Sequence, residues 1–278
     1  MANLIQILRS TLPVTTASIS NETRRILLKE VLQAYLLDFI YNHSSYRGLN
    51  FYGGTCLHIV YKLNRLSEDL DLDNSKAVDI SRLPANLADF IRNNLDYHDS
   101  DVKLQQGESG IFRVITRFPV LFELGLSSHT NESLHVKLEI SSHQQVAEVR
   151  KTPVFFHGRS FVPSHFSLET MMAGKMLACL EREFIIGKES VLIKGRDFYD
   201  LLWFMSQKIM PLSEKLARDG KTSYSIKEAF SKLKEKVLKI RPNQLAQDLN
   251  PLFESRAFVD AWIASFHDNF LEYLKYYL

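Results

Sequence analysis

Asp69-Leu70-Asp71-Leu72-Asp73 alternates acid and leucine without a break. A strand sends successive side chains to opposite faces, so this run lines one face with three carboxylates and sends two leucines into a core. Aspartate is depleted from strands, and like charges at neighbouring same-face positions repel. The arrangement is costly unless something cationic sits among the acids. Hard cations such as Mg²⁺ take oxygen ligands and bridge carboxylates to phosphates. The plainer alternative is an exposed acidic edge strand that discourages pairing with other chains.

The residues just upstream favour the cation. An apolar run at 49–52 reads as a strand and ends at Gly53-Gly54, where the backbone can turn with positive φ and come close to a ligand. From Thr55 onward, Leu57, Val60, Tyr61 and Leu63 keep helical spacing, so the glycines sit against a helix N-terminus, a natural seat for phosphate. A polar loop at 64–67 then leads into the acid strand. A phosphate seat followed by a carboxylate strand is equipment for phosphoryl or nucleotidyl transfer.

The rest of the chain frames this unit. A short helix and a Pro13-containing linker open it, and a long amphipathic helix follows over about 22–42, capped at Ser20 or Asn21. Another helix is expected at 83–95. Strands are expected at 102–106, 111–124 and 133–141, with two more runs between 149 and 162, arranged as antiparallel hairpins. In the third of these, Val136, Leu138 and Ile140 face one way and His135, Lys137, Glu139 and Ser141 the other. Were that polar face to meet Asp69 and Asp71, Glu139 would complete a carboxylate triad; otherwise Lys137 and Glu139 form a surface pair worth little. The β pattern is expected to stop at Pro163, giving domains at 1–163 and 164–278. Ser167 then caps a helix with Lys175 in an apolar stripe, where a lysine either snorkels to water or meets an anion. In the run Gly195-Arg196-Asp197-Phe198-Tyr199-Asp200, Asp197 suits a cap or first helical turn and Asp200 shares its face. The remainder is helical. Lys227, Lys232, Lys234, Lys236, Lys239 and Arg241 form either a solvated face or a surface for an RNA backbone.

The run GGTCLHIVYKLNRLSEDLDLD at 53–73 resembles the signature of the AbiEii/AbiGii-type nucleotidyltransferase toxins, a branch of the DNA polymerase beta-like nucleotidyltransferase superfamily. The resemblance covers about 25–205 and has four motifs in order. It implies a catalytic aspartate pair at Asp69 and Asp71 with an Arg-x-Ser lead-in at Arg65 and Ser67. The second motif resembles VKLEIS and implies Glu139 as third metal ligand, with Lys137 beside it. A glutamate there departs from the family's usual aspartate. The third motif is Lys175, in a context like AGKMLACL, implying contact with nucleotide phosphates; Arg182 would extend that cationic rim. The fourth is Arg196, Asp197, Asp200 and Leu201, with Asp197 implicated in activity as a base or by fixing the lysine. The implied fold is α+β: a polymerase beta-like core with a mixed sheet flanked by helices, plus an α-helical C-terminal domain. Gly53, Gly54, Thr55, Arg65, Ser67, Lys137 and Lys175 are then the expected nucleotide-binding set, with Mg²⁺ or Mn²⁺ as cofactor. An NTP is the implied donor, a tRNA 3′ end the implied acceptor, and a cognate antitoxin the implied partner.

Composition sets the remaining limits. With 278 residues, 45% hydrophobic and 24% charged, the chain can bury a sizeable core. No apolar run is long enough to span a bilayer, and the first residues lack a secretory pattern, so the cytoplasm is the expected compartment and no membrane a partner. Cys56 and Cys179 read as small buried hydrophobes. A net charge of +2 neither demands nor excludes a nucleic-acid partner. Nucleotidylation of a small hydroxylated molecule and a catalytically silent binding module are the competing functions.

Overall fold

Serine side chains start several of the helices. The computed structural model describes residues 3–12, 19–107, 110–182, 184–186, 189–191 and 193–278; the expected Pro13 linker lies outside them. After α1 (Leu4–Thr11), α2 (Asn21–Asn42) begins where Ser20 Oγ accepts from the Thr23 N–H, satisfying one of the orphan donors of the first turn. From Ile26 to Tyr41 this helix is buried on nearly every side, including Glu30 and Gln33. Such all-round burial marks it as the central support of its unit.

The sheet follows in short pieces. β1 (Asn50–Tyr52) runs into α3 (Gly53–Ile59), β2 (Asp69–Asp73) returns antiparallel to β1, and α4 (Leu83–Asn94) leads to β3 (Asp101–Gln106), β4 (Ile111–Phe118) and β5 (Leu134–Ser141). β6 (Val149–Lys151) and β9 (Ser164–Phe166) complete it, and between them β7 (Val154–Phe156) and β8 (Arg159–Phe161) form a separate two-stranded hairpin. Seven strands lie in the order β3-β4-β5-β2-β1-β9-β6. β3, β4 and β5 are antiparallel neighbours, but β2 pairs parallel with β5 and β1 parallel with β9, so the sheet is mixed, as expected. Val114, Phe118, Val136, Leu138, Ile140, Leu70 and Leu72 are buried, and the alternate residues Arg113, Lys137, Glu139, Asp69 and Asp71 are partly exposed.

Two strand expectations need correction. The strand expected to reach residue 124 stops at Phe118, because Pro119 cannot donate to a ladder and 120–125 fold into a turn with the Leu124 N–H bonded to Val120 O. The β pattern also does not end at Pro163. Ser164 and His165 look like loop residues, yet they are buried in β9 because distant partners satisfy them. Ser164 Oγ donates to Asn50 Oδ1 (2.9 Å), while His165 meets Tyr61 Oη (3.1 Å) and Thr152 Oγ1 (2.9 Å).

The chain divides into two compact units, 1–144 with 149–165, and 145–148 with 166–278. Residues 145–148 belong to the second because Lys215 Nζ donates to Gln145 Oε1 and Val146 O, Asp219 accepts from the Val146 N–H, and Glu148 is tied to Ser167 and Thr170. This unit contains α5 (Leu168–Glu181), the hairpin β10 (Phe184–Ile186) and β11 (Glu189–Val191), α6 (Gly195–Ser206), α7 (Ser213–Arg218), α8 (Ile226–Val237), α9 (Pro242–Leu249) and α10 (Arg256–Leu274). α5 is capped by Ser167 on the Thr170 N–H, as its sequence implies, and α8 by a reciprocal Ser225–Glu228 box. Gly195, the first residue of α6, has a packing role. A Cβ there would stand 2.8 Å from Leu245 O, so only glycine lets α6 approach the α9 backbone this closely. Phe266, Phe270, Leu274 and Tyr277 form the buried stripe of the last helix and its end.

Asp73 tests how the sheet tolerates its third acid. It is buried, and it accepts from Asn50 Nδ2 (3.0 Å) and Ser75 Oγ (2.7 Å). Asp73→Ala leaves the Asn50 amide without this acceptor and should cost about 2–3 kcal/mol in urea denaturation. Asp99→Ala, by contrast, should stay within about 0.5 kcal/mol of the parent.

Candidate active site

The acid strand and the glycine turn are in direct contact. β1 and β2 pair with Tyr52 opposite Asp71, which brings the turn after β1 onto the Asp71 side chain. Gly53 has φ +78°, and a Cβ on it would fall 1.9 Å from Asp71 Oδ2. The absence of a side chain at 53 is therefore what admits the Asp71 carboxylate. Gly54 does the same for the lead-in loop: a Cβ there would be 2.6 Å from Arg65 Nη2 and 2.9 Å from Ser67 Oγ. Arg65 is only 4% exposed, and its Nη1 also donates to Leu66 O (2.9 Å). The helix starts at Gly53 itself, two residues earlier than its apolar spacing suggests.

Register then assembles the acids. In the parallel pair of β2 and β5, Asp69 lies opposite Lys137 and Asp71 opposite Glu139. The polar face of β5 does adjoin Asp69 and Asp71. Lys137 Nζ stands 4.0 Å from Asp69 Oδ1, and Glu139 Oε1 accepts from Arg113 Nε at 2.9 Å. Burial raises the Asp69 pKa; Lys137 offsets part of that, and Glu68 and Glu139 add to it. Asp73, the third acid of the strand, is instead satisfied inside the sheet by Asn50 and Ser75. Cys56, one turn into α3, is fully buried, and burial with the Asp71 charge pushes its thiol pKa well up, so it is no nucleophile.

Thr55 lies beside the acid strand. Its side chain has no exposure, and Oγ1 donates to Asp69 O, so the hydroxyl serves the acid strand's frame. Among the described residues, no three His, Cys, Asp or Glu side chains already converge as a cation cage. The donors at Asp69 and Asp71 are hard carboxylate oxygens, the chemistry a divalent cation such as Mg²⁺ takes. Glu139 meets Arg113 through Oε1, and a carboxylate's second oxygen can take a cation at the same time.

The other expected residues form a separate cluster within the C-terminal unit. Lys175 on α5 does not snorkel. Its ammonium lies 2.7 Å from Asp197 Oδ1 and 2.8 Å from Asp200 Oδ2, both on α6. Arg182 Nη1 approaches the other Asp197 oxygen at 3.5 Å. Burial by itself would raise the Asp197 pKa, but Lys175, Arg182 and Arg196 overcome it and hold the carboxyl at about 2. Asp197 is the third residue of α6, a first-turn acid. The fourth motif's two aspartates therefore orient its third motif's lysine. Asp200, fully buried, is as much a part of this as Asp197.

The fold is shared with a solved structure from H. pylori described as a "putative nucleotidyltransferase", at a TM-score of 0.50 and 20% identity over 88% of this chain and 92% of that one. The chain belongs to the AbiEii family: the model of "Nucleotidyl transferase AbiEii toxin, Type IV TA system" matches residues 37–273. No curated protein matches it. It is a nucleotidyltransferase toxin of a toxin–antitoxin family. Among the described residues no helix is long and apolar enough to cross a membrane.

Two outcomes are expected of this geometry. Gly53→Ala strains the backbone and displaces Asp71, and should lower stability by about 1–3 kcal/mol in denaturant titration. Asp197 is held below the ordinary aspartate value of about 3.9, so its contribution is present above pH 4 and lost as pH falls through 2. Urea unfolding between pH 5 and 2 should show wild type losing roughly 2 kcal/mol more than Asp197→Asn.

Proposed function

We propose that this toxin transfers a nucleoside monophosphate from an NTP to the 3′ end of tRNA, and that a cognate antitoxin neutralises it. The observation that carries this reading is the Asp71 carboxylate packed on Gly53, with Asp69 beside it and Glu139 opposite it across the strand pair. In this reading the backbone at Gly53 and Gly54 receives the donor's phosphates, while Arg65 and Ser67 brace the turn from behind. Asp69 and Asp71 would hold Mg²⁺ or Mn²⁺, with Glu139 as third ligand through the oxygen that Arg113 does not engage. When bound, the metal supplies charge neutralisation at the phosphates and the leaving group.

The bond between the α-phosphorus and the oxygen bridging to the β-phosphorus breaks, pyrophosphate departs, and the acceptor hydroxyl oxygen bonds to the α-phosphorus while its proton passes to water. Lys137 steadies the acid face and a neighbouring phosphate. Lys175 offsets phosphate charge, with Asp197 and Asp200 fixing its direction. A tRNA acceptor fits the exposed lysines Lys227, Lys232, Lys234 and Lys239 of α8 and its C-terminal end, whose charge suits a phosphate backbone. An NTP donor and a tRNA acceptor assign the reaction to the cytoplasm. Intact Asp69 and Asp71 speak against a silent module, since their loss is the simplest route to silence.

The test combines purified protein, Mg²⁺, each α-labelled NTP in turn and total tRNA. Label should enter tRNA with the wild type and fall by at least about 100-fold with Asp69→Asn or Asp71→Asn. Label entering only a small hydroxylated molecule would replace the acceptor. No transfer and no NTP binding under any condition would end the enzyme reading for this chain.

A further inference from the structure

Gln33 sits in the middle of α2 with no solvent exposure. Its Nε2 donates to two consecutive backbone carbonyls, Ser67 O at 3.1 Å and Glu68 O at 2.9 Å. Both partners are acceptors only, so the amide must turn its NH₂ toward them. Its own Oε1 is then buried with no hydrogen-bond partner. An unbranched apolar side chain of similar length would fill the same space without an orphaned carbonyl. A buried polar group left half-satisfied calls for a reason in what its satisfied half does.

That half holds the lead-in to the acid strand. The next carbonyl along, Asp69 O, accepts from the buried Thr55 hydroxyl of α3. One turn before Gln33 on α2, Lys29 Nζ donates to Glu68 Oε2 at 2.6 Å. Three successive carbonyls, 67 to 69, are thus each gripped by a buried side chain from one of two helices. β2 begins only at Asp69, so the residues before it have no strand pairing of their own to hold them. Their backbone sets which way the Asp69 carboxylate leaves the strand, and it holds Ser67 against Gly54.

We propose that Gln33 is a positioning residue for the acid strand. Through its two bonds to the backbone at 67 and 68 it fixes the direction of Asp69 and Asp71, and it touches neither substrate nor metal. The proposal rests on the nucleotidyl-transfer reading for its catalytic consequence, while its structural half stands without it.

Gln33→Met removes both donors and the orphaned oxygen at little change in volume. Hydrogen exchange of the peptide covering 66–70 should rise about 10-fold or more in the variant, with exchange in α5 and α6 unchanged. The kcat for transfer should fall about 10- to 100-fold with the KM for NTP within about two-fold of wild type, because a small misplacement of reacting groups costs rate rather than donor binding. Unchanged exchange at 66–70 overturns the positioning role, and raised exchange with unchanged kcat overturns its importance for transfer. If the variant does not fold, the wild type alone decides. Its amides at 68–70 should exchange only at the rate of global opening, and exchange there by local fraying refutes the clamp. If the wild type transfers nothing with any NTP, the transfer reading fails, while the exchange comparison still decides whether Gln33 holds the strand.

Discussion

Parallel pairing of β2 with β5 is the constraint on which the N-terminal unit depends. It places Asp71 opposite Glu139 and Asp69 opposite Lys137, gathering like charges that repel one another in partly desolvated surroundings. The fold accommodates this unevenly. Asp73 is absorbed into the sheet by Asn50 and Ser75, and Glu139 is met by Arg113. Asp69 has Lys137 Nζ at 4.0 Å, yet burial, together with Glu68 and Glu139, still raises its pKa. One strand of identical acids is thereby split into two partly exposed carboxylates and one buried inside the sheet.

Close backbone approach makes that division possible. Gly53 and Gly54 are used as absences: one admits the Asp71 carboxylate, the other the Arg65 guanidinium and the Ser67 hydroxyl. Around them the donors come from helices. Gln33 and Thr55 hold carbonyls of the lead-in, and Lys29 holds Glu68. The C-terminal unit meets the opposite problem, a cation in an apolar helix stripe, with two α6 aspartates. Removing one member of such a buried cluster strands the others, so its ordering role and its stability cannot be separated by a single truncation.

Much of this was legible in the chain. Strict period-two alternation at 69–73 and 134–141 fixed both strands and their faces, because a strand has no other way to place such side chains. Serine caps located α2 and α5, and paired glycines before an apolar helix located the turn. The four ordered motifs identified the family. Less legible were residues whose local signals conflict with their place. Ser164 and His165 read as loop, Pro119 hides inside an apolar run, and Gln33 looks like one more polar residue on a helix.

Sequence by itself determined which side chains share a face, where helices start, and that three acid motifs and one lysine motif occur in the family's order. Those properties are local, set by backbone periodicity and capping within a few residues. Tertiary structure alone decided the partners: that Asp73 is hydrogen-bonded by Asn50 and Ser75 while Asp69 faces Lys137, that the Thr55 hydroxyl faces a carbonyl, that Lys175 is shared by Asp197 and Asp200, and that Gln33 reaches residues 67 and 68. Charge and hydrogen-bond pairing depend on which distant segments are brought within about 3 Å, and no local pattern encodes that distance.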